Sequence, residues 1–345
     1  MLRKNWKGYI MQLRRFMQRG IHFWERIFRE TKRFPHMYKH FGLKIAISGY
    51  IDGLIPPGKS QSYIHTVEEY VDNDLRDLVV RYQKDTVVSE VAPQRQIEKF
   101  PIWCCWWQGE EQMPELVKMC YTRIKQIVPE NKAKLYLITL DNYQDYVSFP
   151  EHILKKFQDG LITKTTLSDV LRFQLLYQYG GYWLDATVFF TDKIPEEYFK
   201  LPFYCQRMAS NPEKVCREAC KGNWCGFSMA GRAGNIVFKY MNDAFSWWWD
   251  RHDEIIDYVL IDYLLWTGYR KIPAIKRIID TVPDNNEDIF QLYQVLNAPY
   301  SEELYRNMTM KNVMHKLTYK MDLKKETDAG ELTMYGFLYQ EVFGK

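Results

Sequence analysis

The chain has 345 residues, of which 46% are hydrophobic and 16% aromatic, and its formal net charge is +4. This composition excludes a disordered chain, and the length allows one large domain or two smaller ones. The charge is uneven, because residues 1–44 contain twelve Lys and Arg against two Glu and carry +10, so the other 301 residues carry −6. With only the first segment basic, we expect no nucleic-acid partner.

No apolar run approaches the roughly 18–20 residues that a membrane-spanning helix needs. Arg14 and Arg15 interrupt the only candidate hydrophobic segment of a secretory signal. We therefore expect a cytoplasmic protein whose seven cysteines are reduced.

Residues 4–31 predict an amphipathic helix, because apolar side chains recur every three or four positions and most basic side chains fall elsewhere. The apolar positions are Trp6, Tyr9, Ile10, Leu13, Phe16, Met17, Ile21, Trp24, Ile27 and Phe28. A basic helix with an aromatic face is typical of attachment to a membrane surface that carries anionic lipid. This would place the protein at the inner face of the cytoplasmic membrane. Packing of the same face on the main domain or on a second subunit is the alternative.

The middle of the chain predicts alternating helices and strands. A break at "GLIPPGKSQS" is followed by a charged helix over Val67–Tyr82, a strand within "PIWCCWWQG" and a helix after Pro114. The segment "KLYLITLD" predicts a second strand, and Tyr146–Phe157 a further helix. This order predicts a parallel sheet with crossover helices, in which ligands bind beyond the carboxyl ends of the strands.

Thr166–Tyr179 predicts a helix that ends at Gly180-Gly181, and a strand over Tyr182–Phe190 follows it with Asp185 among bulky apolar residues. On the helix, Ser168, Asp169 and Arg172 share one face. The simple interpretation is a local ion pair with Ser168 as a cap. If Asp185 approaches this face, two carboxylates and one guanidinium leave net negative charge, which a divalent metal or a hydroxyl-rich ligand would satisfy.

The segment "SDVLRFQLLYQYGGYWLDATV" resembles the signature of the capsular polysaccharide synthesis proteins, sugar transferases related to glycosyltransferase family 32 and to the clostridial glucosylating toxins. Further blocks resemble the same family in the same order, and the resemblance runs from about Pro101 to Lys320. They are "IWCCWWQGEEQMPELVKMCYTRIK", "WCGFSMAGRAGN", "DYVLIDYLLWTGY", "NNEDIFQL" and "HKLTYK".

The resemblance implies an α/β fold of the GT-A type, a Rossmann-like sheet that binds a nucleotide-sugar donor. Asp185 would be the first Asp of the D-x-D segment that holds the ribose and the metal-bound diphosphate. Asp169 and Arg172 would contact the hydroxyls of the donor sugar, and Trp106 would stack on the nucleobase. The other implied donor-binding residues are Gln108, Gly109, Ser168, Gly181 and Lys316.

The resemblance also implies a divalent metal, Mn²⁺ or Mg²⁺, near Asp185, Thr187 and His315. Thr187 departs from the pattern, since many relatives have a second Asp there and a hydroxyl is a poorer ligand for a divalent ion. How this chain would hold a metal is therefore open.

Acidic residues in "DEIIDYVLIDYLLWTGY" are candidates for contact with an acceptor. Asp257 and Asp262 are five positions apart and cannot both face the core of one straight helix. We favour Asp262 as the residue that orients or deprotonates an acceptor hydroxyl. Solvent-facing acids on an amphipathic helix are the alternative.

The resemblance thus implies a retaining hexosyltransferase that uses a nucleotide sugar, with a UDP-hexose favoured, to extend a lipid-linked capsular or exopolysaccharide oligosaccharide. The expected organisation is a basic helical region at 1–95, a GT-A catalytic domain at 96–325 and a tail at 326–345 that packs on it. A non-catalytic carbohydrate-binding or scaffolding member of a synthesis complex is the alternative, and modification of a host protein is a third possibility.

Overall fold

The computed structural model describes residues 2–55, 60–84, 97–208 and 219–344, with side chains from residue 23 onward. The strands are β1 Phe100–Cys105, β2 Ala133–Ile138, β3 Gly181–Leu184, β4 Val188–Phe190, β5 Phe203–Cys205, β6 Ser228–Gly231 and β7 Met314–Lys316. The helices are α1 Leu2–Leu54, α2 Gln61–Asp74, α3 Arg76–Lys84, α4 Glu115–Ile127, α5 Glu151–Gln158, α6 Lys164–Tyr179, α7 Ile236–Arg251, α8 Leu260–Lys271, α9 Pro273–Asp280, α10 Glu302–Thr309 and α11 Met334–Phe343. Short 3₁₀ helices span Glu110–Gln112, Tyr143–Asp145, Glu196–Phe199 and Leu292–Val295.

The central sheet has the order β2-β1-β3-β6-β5. Strands β2, β1 and β3 run parallel, and Trp103 of β1 stands between Tyr136 and Trp183. Strands β6 and β5 are antiparallel to their neighbours. The predicted parallel sheet is therefore confirmed for the first three strands, and the complete sheet is mixed.

The single strand predicted over Tyr182–Phe190 is wrong. Strand β3 ends at Leu184, and β4 belongs to a separate two-stranded sheet in which it pairs with β7. The residues between them form a turn, closed by a hydrogen bond from the N–H of Val188 to the carbonyl of Asp185 at 2.9 Å. Asp185 thus lies at the carboxyl end of a strand, where polar groups are tolerated, and not in the middle of one.

Alternation along the strands divides the core between the two faces of the sheet. Trp103 and Trp183 belong to the larger cluster, together with buried residues of α6, α7 and α8. Ile102, Tyr182 and Leu184 belong to the cluster that includes β4 and β7. Both faces of the sheet are therefore covered. The ends of the strands are the places where a ligand can reach the sheet.

Helix α6 is close to its prediction, and its ends have local causes. The hydroxyl of Thr163 caps the first turn by accepting a hydrogen bond from the N–H of Thr166 at 3.2 Å. At the other end Gly180 adopts a φ of 67°, a backbone conformation that residues with a Cβ rarely adopt. Ser168 is therefore not the cap of this helix.

Helix α1 bends sharply at Gly42, whose backbone has φ 81° and ψ 176°. The arms before and after the bend fold against each other, since the rings of Phe34 and Tyr50 lie 5.9 Å apart. Met37 and Phe41 enter the main core. The helix predicted over residues 4–31 is therefore longer, and its predicted apolar positions up to Ile21 lie outside the described side chains.

Apolar side chains on both arms of α1 are exposed. Trp24 is 69% exposed and Phe28 63% exposed on the first arm, and Leu43, Ile47 and Ile51 are exposed on the second. Within the described residues, no helix combines the length and the apolar character needed to cross a membrane.

The end of the chain packs on the helix that follows β1. Helix α11 contacts α4, and the hydroxyl of Tyr335 donates a hydrogen bond to the Glu115 carboxylate at 2.6 Å. At the other end of the chain, Tyr63 of α2 donates to Asp257 at 2.9 Å. The division of the chain at residues 95/96 and 325/326 remains a prediction.

Candidate functional site

A cavity of about 760 Å³ lies at the carboxyl ends of β1 and β3. Its polar lining consists of Gln108, Lys164, Thr165, Ser168, Asp169, Arg172, Asp185, Thr187, Asp262, Thr318, Lys316 and Lys320. Its aromatic lining consists of Trp106, Trp107, Trp183, Phe227, Tyr258, Phe290, Tyr293 and Tyr319. This size and this mixture of apolar walls with convergent charges are typical of a site for a small organic ligand.

Asp185 is held at the edge of this cavity by its backbone and by its side chain. Its N–H donates to the carbonyl of Phe227 at 2.9 Å, which extends the pairing of β3 with β6 by one residue. Its side chain is 32% exposed. The indole N–H of Trp183 donates to Oδ1 at 2.9 Å, because residues two apart on a strand share a face.

Two cations neutralise Asp185. Arg172 donates to Oδ1 at 3.3 Å, and the ammonium of Lys316 donates to Oδ2 at 2.7 Å. The same guanidinium donates to Asp169 at 3.0 Å, so Arg172 joins the two carboxylates. The four side chains together carry no net charge. The cluster predicted from the sequence has two carboxylates and one guanidinium and is therefore negative, and Lys316 supplies the missing positive charge.

Arg172 is almost fully buried, with 5% of its side chain exposed. Its guanidinium carbon lies 5.0 Å from the centre of the Trp183 ring. A Cβ on Gly226 would lie only 3.0 Å from Arg172 Nη1 and 3.1 Å from Ile261 Cδ1. The glycine therefore leaves the room that the guanidinium needs beneath the cavity.

The surroundings move the pKa values of the two carboxylates in opposite directions. Burial alone would raise the pKa of Asp185, but the charges of Lys316 and Arg172 outweigh it and hold that pKa well below the ordinary value. Burial raises the pKa of Asp169 from 3.8 to about 6, against the opposing charge of Arg172 and with a contribution from Asp185. Neighbouring carboxylates with separated pKa values are typical of sites that hold charge at one group and move protons at another.

Residues at the end of β1 form another wall of the cavity. The indole N–H of Trp107 donates to Ser168 Oγ and to the carbonyl of Lys164, each at 2.8 Å. Trp106 presents its ring edge-on to Tyr319 at 5.8 Å. Gly109 adopts a φ of 86° and closes a turn by donating its N–H to the carbonyl of Trp106 at 2.9 Å. Gly109 thus shapes the loop that carries Gln108, but it does not line the cavity.

The structure places Asp262, the acid that the sequence favours, and Asp257 in different surroundings. Asp262, in the first turn of α8, lines the cavity and accepts a hydrogen bond from the indole N–H of Trp224 at 3.0 Å. Asp257 lies before α8 and is buried against Tyr63. Only Asp262 of this pair reaches the cavity.

His315 is not brought to the cavity. It follows Met314 and precedes Lys316 on β7, so its side chain points to the opposite face from both. It is fully buried opposite Phe189, and burial lowers its pKa to about 4. Because Lys316 reaches Asp185 from this strand, its neighbour His315 cannot.

Gly181 is also remote from the cavity lining. It lies inside the sheet with a φ of 98°, and a Cβ there would come within 2.3 Å of the carbonyl oxygen of Pro101. Because Gly181 has no side chain, β3 can pair closely with β1 at this point.

The residues predicted to hold a metal do not fit that role as a set. Asp185 and Thr187 line the cavity, but His315 faces away, and both oxygens of Asp185 already accept hydrogen bonds. Across the described ranges, no group of three or more His, Cys, Asp or Glu side chains is arranged to hold a metal ion.

Sequence reasoning missed several residues that build the site. Trp183, Phe227 and Gly226 position Asp185 and Arg172, and Lys320 adds a charge to the lining. Trp183 could have been found from its position two residues before Asp185. Gly226 and Phe227 lie in the block "WCGFSMAGRAGN", but nothing in that block places them at the site, which they reach through the pairing of β3 with β6.

Comparison with known proteins gives one positive result. A family model described as capsular polysaccharide synthesis protein matches residues 58–338. No curated protein and no solved structure matches the chain.

Proposed function

The chain belongs to the capsular polysaccharide synthesis family, and on this premise we propose that it is a glycosyltransferase of capsule biosynthesis. It transfers a hexose from a nucleotide sugar, a UDP-hexose, to a growing lipid-linked oligosaccharide, with retention of the anomeric configuration. The observation that carries the proposal is the cluster of Asp185, Arg172, Asp169 and Lys316 at the carboxyl ends of parallel strands.

The position of the cavity supports a GT-A-like arrangement for donor binding. The parallel strands β1 and β3 end at one side of it, which is where open α/β sheets bind nucleotides. Trp106 stacks on the base beside the loop of Gln108 and Gly109. Ser168 and Asp169 contact hydroxyls of the donor, and Lys316 contacts the diphosphate.

The chemistry of glycosyl transfer fits these charges. The bond between the anomeric carbon and the diphosphate oxygen breaks, a bond to an acceptor oxygen forms, and negative charge grows on the departing diphosphate. Fixed cations aimed at that oxygen stabilise the charge, and Arg172 and Lys316 supply them. The acceptor proton goes to the released diphosphate, so the proposal needs no carboxylate nucleophile. Asp262 orients the acceptor hydroxyl on the face of the sugar from which the diphosphate leaves, as retention requires.

Attachment to the membrane surface belongs to the same proposal, because a lipid-linked acceptor lies at the cytoplasmic leaflet. The exposed Trp24 and Phe28 on α1, within a segment of charge +10, support contact with anionic lipid. The location would then be cytoplasmic and peripheral.

A carbohydrate-binding or scaffolding role is the second candidate. Two observations favour it. Thr187 stands where a second carboxylate would bind a metal, and the carboxylate of Asp185 already accepts hydrogen bonds from protein groups. An aromatic-rich polar cavity would bind sugar rings without catalysis.

The test is release of nucleoside diphosphate from a panel of nucleotide sugars by the purified chain, with lipid-linked acceptor present. We expect turnover of one UDP-sugar, and its loss in Asp185→Asn and Asp169→Ala. Asp328→Ala is the matched control, since this carboxylate is 92% exposed and outside the cavity. A wild-type protein inert to every nucleotide sugar would contradict the proposal. Thermal stabilisation by oligosaccharide but not by UDP would favour the binding role.

A further inference from the structure

We propose that this site neutralises the diphosphate of its donor with protein cations, chiefly Lys316, and does not require a divalent metal ion. The inference rests on the proposed function, because it concerns how the same cavity holds a nucleoside diphosphate. It follows from the arrangement of charged side chains around Asp185.

Lys316 occupies the place that a cation would take at Asp185. Its ammonium lies 2.7 Å from Oδ2, and the opposite oxygen accepts from Arg172 and Trp183. A metal bound directly to this carboxylate would have to displace the ammonium and then remain beside it. Two neighbouring cations repel each other, and this repulsion is strong in a half-buried site.

The position of Lys316 is built into the fold. Its strand β7 pairs with β4, and in this register Lys316 lies opposite Val188. Val188 is three residues after Asp185, so the pairing brings Lys316 close to the turn that carries Asp185. Only 19% of the Lys316 side chain is exposed, and its ammonium lies 4.9 Å from the centre of the Phe227 ring. The ammonium is therefore fixed at the cavity wall before any ligand arrives.

The other acids of the cavity offer little to a metal. Asp169 is bound to Arg172, and Asp262 accepts from the indole of Trp224. Thr187 provides a hydroxyl where a carboxylate would be a stronger ligand. Divalent ions in proteins favour several oxygen ligands at one point, and these three side chains do not supply them.

The cavity does supply positive charge for an anionic ligand. Lys164, Arg172, Lys316 and Lys320 line it, against three carboxylates. An ammonium has three donors, so Lys316 can keep its bond to Asp185 while it donates to phosphate oxygens. This arrangement does the electrostatic work that a metal ion does in other sites for diphosphates.

The experiment is calorimetric titration of UDP into the full chain, once in EDTA and once in manganese chloride. We expect dissociation constants that agree within about threefold, since a tenfold change would correspond to about 1.4 kcal/mol of metal contribution. Lys316→Met should weaken UDP binding in EDTA by tenfold or more. Lys316→Arg, which keeps the charge, should bind within a few fold of wild type.

Lys324→Met is the matched control, because Lys324 is exposed, pairs with Asp328 and does not line the cavity. It should bind UDP like wild type, and melting curves of all variants establish that they are folded. Binding of UDP by wild type only in manganese would overturn the metal-free inference while leaving the proposed function intact. Unchanged binding by Lys316→Met in EDTA would also overturn it. Failure to bind UDP under either condition would overturn the proposed function itself.

Discussion

The guanidinium of Arg172 lies 3.0 Å from Asp169 and 3.3 Å from Asp185, so one buried cation joins a helix to the end of a strand. The helix residues are three apart and meet by local geometry. Asp185 joins them because β3 begins directly after α6, with only Gly180 between them. The contact thus supports the fold and forms part of the cavity wall.

Replacement of Arg172 with Met should destabilise the fold by about 3 kcal/mol, because it leaves half-buried carboxylates without their cation. The cost should be at the low end of the range for a buried ion pair, since Asp185 is partly exposed and keeps its bond to Lys316. Arg306→Met should cost less than about 0.5 kcal/mol, since Arg306 is 73% exposed in its pair with Glu302. Urea denaturation of both variants measures the difference. Equal costs for the two variants would contradict the structural role of Arg172.

Asp169 should make stability depend on pH in a defined direction. Its pKa in the folded chain is about 6 against an ordinary 3.8, so the folded state binds more protons between these values. The contribution of Asp169 to the free energy of unfolding therefore falls as the pH rises from about 4 to about 6. The stability of wild type relative to Asp169→Asn should decline across that window and be constant above about pH 7. A relative stability that rises with pH in this window would contradict the raised pKa.

Replacement of Gly226 with Ala should disturb the site through packing. The added methyl meets Arg172 Nη1 at 3.0 Å and Ile261 Cδ1 at 3.1 Å, so one of them must shift. We expect a cost of about 1–3 kcal/mol in stability and weaker UDP binding. Gly49→Ala is the control, because its methyl would find ordinary contact with Tyr63 at 3.6 Å. Wild-type UDP affinity in Gly226→Ala would show that the guanidinium position does not matter for binding.

The hydrogen bond between Tyr63 and Asp257 should couple the second helix to the main core. Tyr63→Phe leaves one oxygen of a buried carboxylate without its donor, and we expect a loss of about 1–3 kcal/mol. Calorimetry should record one unfolding transition for the wild type, since α2 shares the main hydrophobic cluster. Tyr50→Phe should cost little, because its hydroxyl contact to Thr31 is exposed and long at 3.4 Å. Two separate transitions would favour an independent N-terminal domain.

Exposed aromatic residues on α1 should govern the proposed attachment to a membrane surface. The double variant Trp24→Ser, Phe28→Ser should lose at least tenfold in binding to vesicles that contain phosphatidylglycerol, measured by co-sedimentation. Met310→Ser is the control, because Met310 is 73% exposed and lies directly after α10 rather than on α1. Binding should weaken with salt, as charge attraction is screened. A double variant that sediments like wild type would contradict attachment through this helix.

The local parts of the site could be predicted from the sequence. The spacing of Asp169 and Arg172 on a helix, the stop at Gly180 and the strand within Pro101–Gly109 all follow from patterns within a few residues of each other. The prediction failed where pairing between distant segments decides the structure. The strand over Tyr182–Phe190 is broken because Val188–Phe190 pairs with β7 rather than continuing in the main sheet.

Sequence alone determined the helix that carries Ser168, Asp169 and Arg172, because hydrogen bonds and caps within one turn set its position. Only the tertiary structure decided that Lys316, 131 residues further along the chain, neutralises Asp185 while His315 faces the core. A shift of one residue in strand pairing exchanges the two faces of a strand. That register is set by the packing of the whole molecule, which no local pattern contains.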